Sequence, residues 1–146
     1  MLRGNSLAKV DEKGRLKLPA AFRSVIEPTY GNEFFVTSLR GESARIYPMQ
    51  VYAEIEDKIL QASSVQPLVT KLRNSLNFFG QRALMDPQGR ILIHPLLRDK
   101  ADLSGEVAVL GQQNFLEVWN RSSFEESLKL NPLSDAELGE LAEFGF

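Results

Sequence analysis

Apolar and polar positions alternate with a period of two in "VDEKGRLKLP" at 10–19, and apolar residues run continuously after the arginine in the similar stretch "MDPQGRILIHP" at 85–95. Each holds an aspartate, two residues, a glycine and an arginine, followed by apolar residues and a proline. Asp at the first turn position and Gly at the fourth favour a type I turn. A three-residue hairpin loop with that glycine in the left-handed region places Asp11 opposite Arg15. Continuing that pairing sets Val10 against Leu16, Lys9 against Lys17 and Ala8 against Leu18. Cross-strand partners share a face. Ala8, Val10, Leu16 and Leu18 are then the core face, and Lys9, Asp11, Arg15 and Lys17 the outer one. The same pairing in the second stretch sets Met85 against Ile91 and Leu84 against Leu92. Both of its faces are apolar apart from the Asp86–Arg90 pair, which predicts burial on both sides, within the chain or against another subunit.

The two stretches align without a gap at a spacing of 75 residues. Gly14 matches Gly89, and Arg23 matches Arg98. Further on, "RIYPMQVY" (45–52) resembles "EVWNRSSF" (117–124) at a spacing of 72, so Tyr47 matches Trp119 and Tyr52 matches Phe124. The repeat is a whole unit, and two such units can form a pseudo-twofold fold. Each reads as strand, turn, strand, short helix, strand, strand, helix. The first short helix starts near Pro19 and runs to Glu27–Pro28; its counterpart spans 95–101. Strands are expected over 32–39, 44–48, 106–112 and 115–119. A helix from about Pro48 carries Tyr52, Ile55 and Ile59 on one stripe. A second, from about Pro67 to Gly80, bridges the repeats. Ser122 followed by Glu125 reads as a capping box for a helix over 123–129. Ser134 followed by Glu137 signals one more short helix, with Leu138, Leu141 and Phe144 either packed on the body or frayed with the tail. The units are therefore 1–53, a bridge over 54–81, 82–126, and an acidic tail over 127–146.

Composition narrows the class. The chain has 146 residues, 43% apolar and 25% charged, with no cysteine. That is an ordinary globular composition without disulfides or thiolate chemistry, and it fits a reducing cytoplasm. No apolar run approaches a membrane span, and the N-terminus lacks the apolar region of a signal peptide. The net charge is −2. Residues 1–23 carry +4, however, from Arg3, Lys9, Lys13, Arg15, Lys17 and Arg23 against Asp11 and Glu12. A basic segment on an acidic body suggests a surface for an anion, although charge alone is better served by a solvated face. The lone histidine, His94, and the absence of phosphate-cradling glycine motifs leave no metal, cofactor or small-molecule site to name, so no enzymatic activity is expected.

An Asp-x-x-x-Arg pair on its own is best read as a clamp on its turn. The neighbouring lysines change that reading for the first copy. A two-stranded ribbon fits a DNA major groove, lysines neutralise phosphates, and an arginine offers a bidentate fork to guanine. Asp11 would then orient Arg15.

The paired Asp-x-x-Gly-Arg motifs, within "MLRGNSLAKVDEKGRLKLPAAFR" and "MDPQGRILIHPLLRDKADLSGEVAVLGQQNFLEVW", carry a resemblance to the MraZ family over roughly residues 1–130. These bacterial transcriptional regulators have two tandem AbrB-like, swapped-hairpin domains. The resemblance implies a β-rich α+β fold, a duplicated swapped-hairpin barrel in which strands of the two copies interleave. It implies rings of eight or more subunits in the cytoplasm, associated with the nucleoid. It also implies binding to short direct repeats in the promoter of the division and cell-wall gene cluster that begins with the family's own gene, usually as a repressor. By the same resemblance, Asp11, Arg15, Asp86 and Arg90 are the DNA-binding positions, with Lys13 and Arg3 beside them. Two other classes stay in view: a small barrel that binds a peptide or protein, and a structural ring without nucleic-acid affinity. Steep weakening with salt would mark phosphate binding; an apolar contact responds little.

Overall fold

The computed structural model describes residues 1–62 and 66–146; residues 63–65, within the expected bridge, lie outside the described residues. The first repeat contributes β1 (Leu2–Val10), β2 (Arg15–Lys17), α1 (Ala20–Tyr30), β3 (Glu33–Thr37), β4 (Ala44–Pro48) and α2 (Met49–Gln61). After α3 (Pro67–Phe78), the second contributes β5 (Gln81–Leu84), β6 (Arg90–Leu92), α4 (Pro95–Ala101), β7 (Gly105–Gln113), β8 (Leu116–Asn120) and α5 (Arg121–Leu130). A short helix α6 (Asp135–Leu141) and a 3-10 turn (Ala142–Phe144) complete the described chain.

The strands form one antiparallel sheet in the order β5-β3-β4-β8-β7-β1-β2-β6. Its two edge strands, β5 and β6, are consecutive in the chain and joined where the Asp86 N–H donates to the Arg90 carbonyl at 3.0 Å. The sheet thus nearly closes into a barrel, which leaves little open edge. Its pairing carries the duplication. β1–β7 and β5–β3 are equivalent pairs, as are β3–β4 and β7–β8. The pairs β2–β6 and β4–β8 each join a strand to its own counterpart. Leu16 faces Ile91, and these positions also match in the repeat. Arg45 faces Glu117, matched likewise, and the two form an ion pair at 3.8 Å. The fold is the expected α+β duplicated barrel.

The inward side of every strand feeds one core, with Leu16, Phe34, Ile91, Ile93, Val107, Leu116 and Val118 all fully buried. A smaller aromatic cluster covers one side of the sheet, where Phe35 stacks on Tyr52 at 4.2 Å and Tyr47 on Phe115 at 4.7 Å. Its counterpart in the second repeat is the edge-on pair Trp119–Phe124 at 5.2 Å.

Several local expectations are corrected. The first hairpin pairs at its tip as expected, Val10 against Leu16, but its strands then part. Lys9 faces Glu106 and Ala8 faces Val107, while Lys17 faces Arg90. Interleaving with the other repeat gives β1 a nine-residue partner that a three-residue β2 cannot supply. The second hairpin parts in the same way: Leu84 faces Glu33 and Leu92 faces Arg15. It is not buried on both sides within the chain, because a barrel wall has a single inner face. Met85 and Ile91 turn inward, and Leu84 and Leu92 are 55% and 51% exposed.

Helix α1 continues past Pro28 to Tyr30 and stops at Gly31, whose φ is +84°. Pro28 lies in the last turn, where a missing N–H costs one bond, and the extension packs Tyr30 against the core. Helix α5 is capped by Asn120, whose side-chain oxygen accepts from the Ser123 N–H at 2.9 Å, rather than by Ser122. The Ser134–Glu137 capping box is formed, but α6 buries no residue.

Leu16 and Ile91 sit face to face on the pseudo-twofold axis. Truncating either to alanine should cost about 2–5 kcal/mol, read as a lower urea midpoint at unchanged slope.

Candidate nucleic-acid interface

Each hairpin tip is built by its aspartate. One oxygen of the Asp11 carboxylate (Oδ1) accepts from the backbone N–H groups of Lys13 at 3.0 Å and Arg15 at 2.9 Å. The other (Oδ2) accepts from Arg15 Nε at 2.9 Å. The second tip repeats this. Asp86 Oδ1 accepts from the N–H groups of Gln88 and Arg90, each at 2.9 Å, and Oδ2 accepts from Arg90 Nε at 2.8 Å. The backbone N–H of Arg15 holds the Asp11 carboxyl below the usual carboxylate range, helped by the Arg15 guanidinium and the Lys13 N–H. Asp86 is lowered in the same way, first by the Arg90 N–H. The aspartate takes each guanidinium at Nε, so the two Nη groups are not spent on it. A planar donor fork anchored at its base suits a phosphate or a base edge.

Gly14 and Gly89 have φ of +82° and +81°, the left-handed conformation that an aspartate-started three-residue loop demands. They also lock the repeats together. The Gly14 carbonyl accepts from the Ile93 N–H at 2.9 Å, and the Gly89 carbonyl from the Leu18 N–H at 2.8 Å. A β-carbon on Gly14 would collide with the Arg98 guanidinium, and one on Gly89 with Arg23. Arg23 Nη2 donates to the Pro87 carbonyl at 3.0 Å. Arg23 and Arg98 thus each cover the other repeat's turn. The repeat alignment had matched them, which was the available signal, but it did not show that they reach across.

Strands β2 and β6 bring the two tips onto one surface. Leu16 and Ile91 point inward, so Arg15, Lys17, Arg90 and Leu92 point outward, Arg15 beside Leu92 and Lys17 beside Arg90. Like charges directly opposite destabilise a sheet. A ribbon serving only the barrel gains nothing from Lys17 opposite Arg90, whereas one facing an anion does. Lys9 lines a shallow hollow with Lys17, Leu7 and Leu18, and Lys13 stands exposed in the first tip. Seven of the eight candidate residues therefore fall on the two tips and the ribbon between and beside them. Arg3 does not. It faces Gln112 near the far end of β1, roughly 25 Å from Asp11 at ~3.3 Å per residue.

The second tip lacks its own lysines, since Leu84, Gln88 and Leu92 stand where the first has Lys9, Lys13 and Lys17. Arg90 gains its basic surroundings from the first repeat instead. His94 precedes α4 and is part-buried, which lowers its pKa, with Arg98 adding to the effect. Among the described residues no group of three or more histidine or acidic side chains is placed to hold a metal. No helix among them is long and apolar enough to cross a membrane.

Hairpins that pair with the opposite repeat, closed at each tip by an aspartate-held arginine, define a swapped-hairpin barrel of the AbrB-like class. The family model described as "MraZ protein, putative antitoxin-like" matches residues 1–74 and 81–137. A protein of Acidobacterium capsulatum named transcriptional regulator MraZ is 44% identical over 145 residues, 99% of each chain. One of the same name from Koribacter versatilis is 40% identical over 146 residues, again 99% of each. One from Escherichia coli O9:H4 is 32% identical over 130 residues, 88% of this chain and 86% of its own. The chain belongs to the MraZ family of transcriptional regulators.

A carboxyl whose native pKa is depressed stabilises the fold above its unfolded pKa and loses that contribution as pH falls through the native value. Carbonyl chemical-shift titration should therefore place Asp11 and Asp86 below the ordinary 3.8, with the tips loosening only under more acid conditions. A midpoint at or above 3.8 for either would contradict the hydrogen bonding described.

Proposed function

We propose that the chain is a sequence-specific double-stranded DNA-binding regulator, and that the β2–β6 ribbon with its two tips is the DNA-reading surface. The observation carrying this is the convergence of Arg15, Lys17 and Arg90 on one outward ribbon face, each arginine held at Nε by its own aspartate. An antiparallel ribbon fits the major groove. Arg15 reads a base edge, positioned by Asp11. Arg90, positioned by Asp86, adds a second contact. Lys9, Lys13 and Lys17 neutralise phosphates and supply the sequence-blind, salt-sensitive part of the affinity. Arg3, at the other end of β1, serves a flanking phosphate.

One bidentate contact discriminates bases by only ~1–3 kcal/mol. Linked copies are needed for a specific site, because each added contact is made at high effective concentration. That supports a homo-oligomer; a ring of eight or more subunits acting on short direct repeats, in the cytoplasm at the nucleoid, is what the family resemblance implies for it. The regulated promoter in this reading is that of the chain's own division and cell-wall gene cluster, with repression as the outcome. Residues 1–53 and 82–126 act as the two DNA-contacting repeats, 54–81 as their bridge and 127–146 as an appended tail. No cofactor, metal, small-molecule substrate, membrane or catalytic step enters. The exposed Leu84 and Leu92 favour a second reading, a barrel that binds a peptide or protein; binding insensitive to salt would select it.

Fluorescence anisotropy with the DNA upstream of the chain's own gene, against a shuffled fragment of equal length, tests the assignment. Arg15→Ala should weaken binding to the native fragment by about 1–3 kcal/mol and narrow its preference over the shuffled one. Wild-type affinity in that variant would remove the role given to Arg15. Lys17→Ala should weaken both fragments alike and reduce the slope of log affinity against log salt by about one. An unchanged slope would place Lys17 off the phosphates.

A further inference from the structure

We propose that the acidic tail of the chain, residues 131–146, folds back on the ribbon's outward face in the same chain and competes with DNA for it. The contact is argued from the two surfaces alone; only the competition rests on the DNA-binding reading above.

The tail carries Asp135, Glu137, Glu140 and Glu143 and no basic residue. Its helix α6 starts on a complete capping box between Ser134 and Glu137, and the Leu138 N–H donates to the Ser134 carbonyl within the same turn. Helix α6 buries nothing, and Leu138 is 47% exposed. A seven-residue helix is too short to persist in water on a cap alone; it needs a surface for its apolar stripe. Leu138 and Leu141 lie one turn apart on one stripe, and Glu140 and Glu143 lie one turn apart beside it, the Glu137 carboxylate being held in the capping box.

The ribbon offers the matching pattern. Lys17 and the outer Nη edges of Arg15 and Arg90, whose Nε atoms are held by Asp11 and Asp86, stand beside Leu92, a half-exposed leucine. Leucines on the tail meet Leu92, and its carboxylates meet the three cations. The same cations that attract phosphates attract these carboxylates, so the tail acts as a DNA-like competitor. The route is short. Leu128 of α5 lines a groove with Asn5 and Leu7 of β1, two to four residues along that strand from Lys9. The four-residue link 131–134 spans up to ~13 Å extended, and the helix with its final turn adds about 15 Å.

The absence of native cysteine makes a direct test clean. The full chain carrying Leu92→Cys and Leu138→Cys is oxidised and run on a non-reducing gel. Leu60→Cys with Leu138→Cys is the control, Leu60 being an exposed residue of α2. An intrachain bridge forming several-fold faster than in the control, and slowed by cognate DNA, is the expected result. Equal rates overturn the contact, and a covalent dimer overturns docking within one chain. A fast intrachain bridge in a protein with no DNA affinity would instead count against the DNA-binding reading. In a second arm, Glu140→Gln with Glu143→Gln should tighten DNA binding about threefold more than the equal charge change Glu54→Gln with Asp57→Asn, the gap closing as salt rises. Equal effects of the two pairs would show that net charge, and not tail docking, sets the affinity.

Discussion

The architecture depends on one constraint, that neither hairpin can satisfy its own backbone. Each tip is a three-residue loop closed by an aspartate, and beyond it the strands separate, the first hairpin after one local pair, Val10 with Leu16, and the second at the Asp86–Arg90 hydrogen bond itself. The N–H and carbonyl groups left over need partners, because unpaired backbone in a barrel wall is costly. The other repeat supplies them. Gly14 accepts from Ile93 and Gly89 from Leu18, with Arg98 and Arg23 laid over the opposite turns. Two copies are therefore the smallest unit that closes the sheet, and closure sets β2 against β6 on the symmetry axis. The basic surface follows from that placement. Arg15 and Arg90 lie 75 residues apart in the chain and share one ribbon face.

The two copies differ in chemical character on the outside. Inward positions stay apolar in both copies: Val10 and Met85, Leu16 and Ile91, Leu18 and Ile93. Outward positions differ, with Lys9, Lys13 and Lys17 in one copy and Leu84, Gln88 and Leu92 in the other. A core tolerates little change in volume, whereas an outer face is free to change chemistry. One side of the ribbon thereby became cationic and the other partly apolar, while the aspartate clamp that positions each arginine was kept in both.

Much of this was legible in the chain itself. The matched motifs exposed the repeat, and alternation placed Val10, Leu16 and Leu18 inward and Lys9, Arg15 and Lys17 outward. Alternation does not say which strand lies alongside, so the exchange of partners between repeats entered only through family resemblance. The same gap hid the meeting of Lys17 with Arg90 and the reach of Arg23 and Arg98 across the turns. Apolar residues on both sides of 84–92 read as two-sided burial because sequence does not reveal that the wall has one inside. Asn120 and Ser122 are both competent caps. The choice fell to Asn120 because β8 runs on to pair that residue with Val107, and a helix begins where its strand ends.

The central claim is that both repeats contribute to one DNA-reading ribbon. A binding titration of Arg90→Ala beside Arg15→Ala, on the fragment upstream of the chain's own gene at moderate salt, tests it most directly. The account predicts comparable losses, since Arg90 stands opposite Lys17 despite the lysine-free tip that holds it. Wild-type binding by Arg90→Ala alongside failure of Arg15→Ala would contradict a shared ribbon and confine DNA reading to the first repeat.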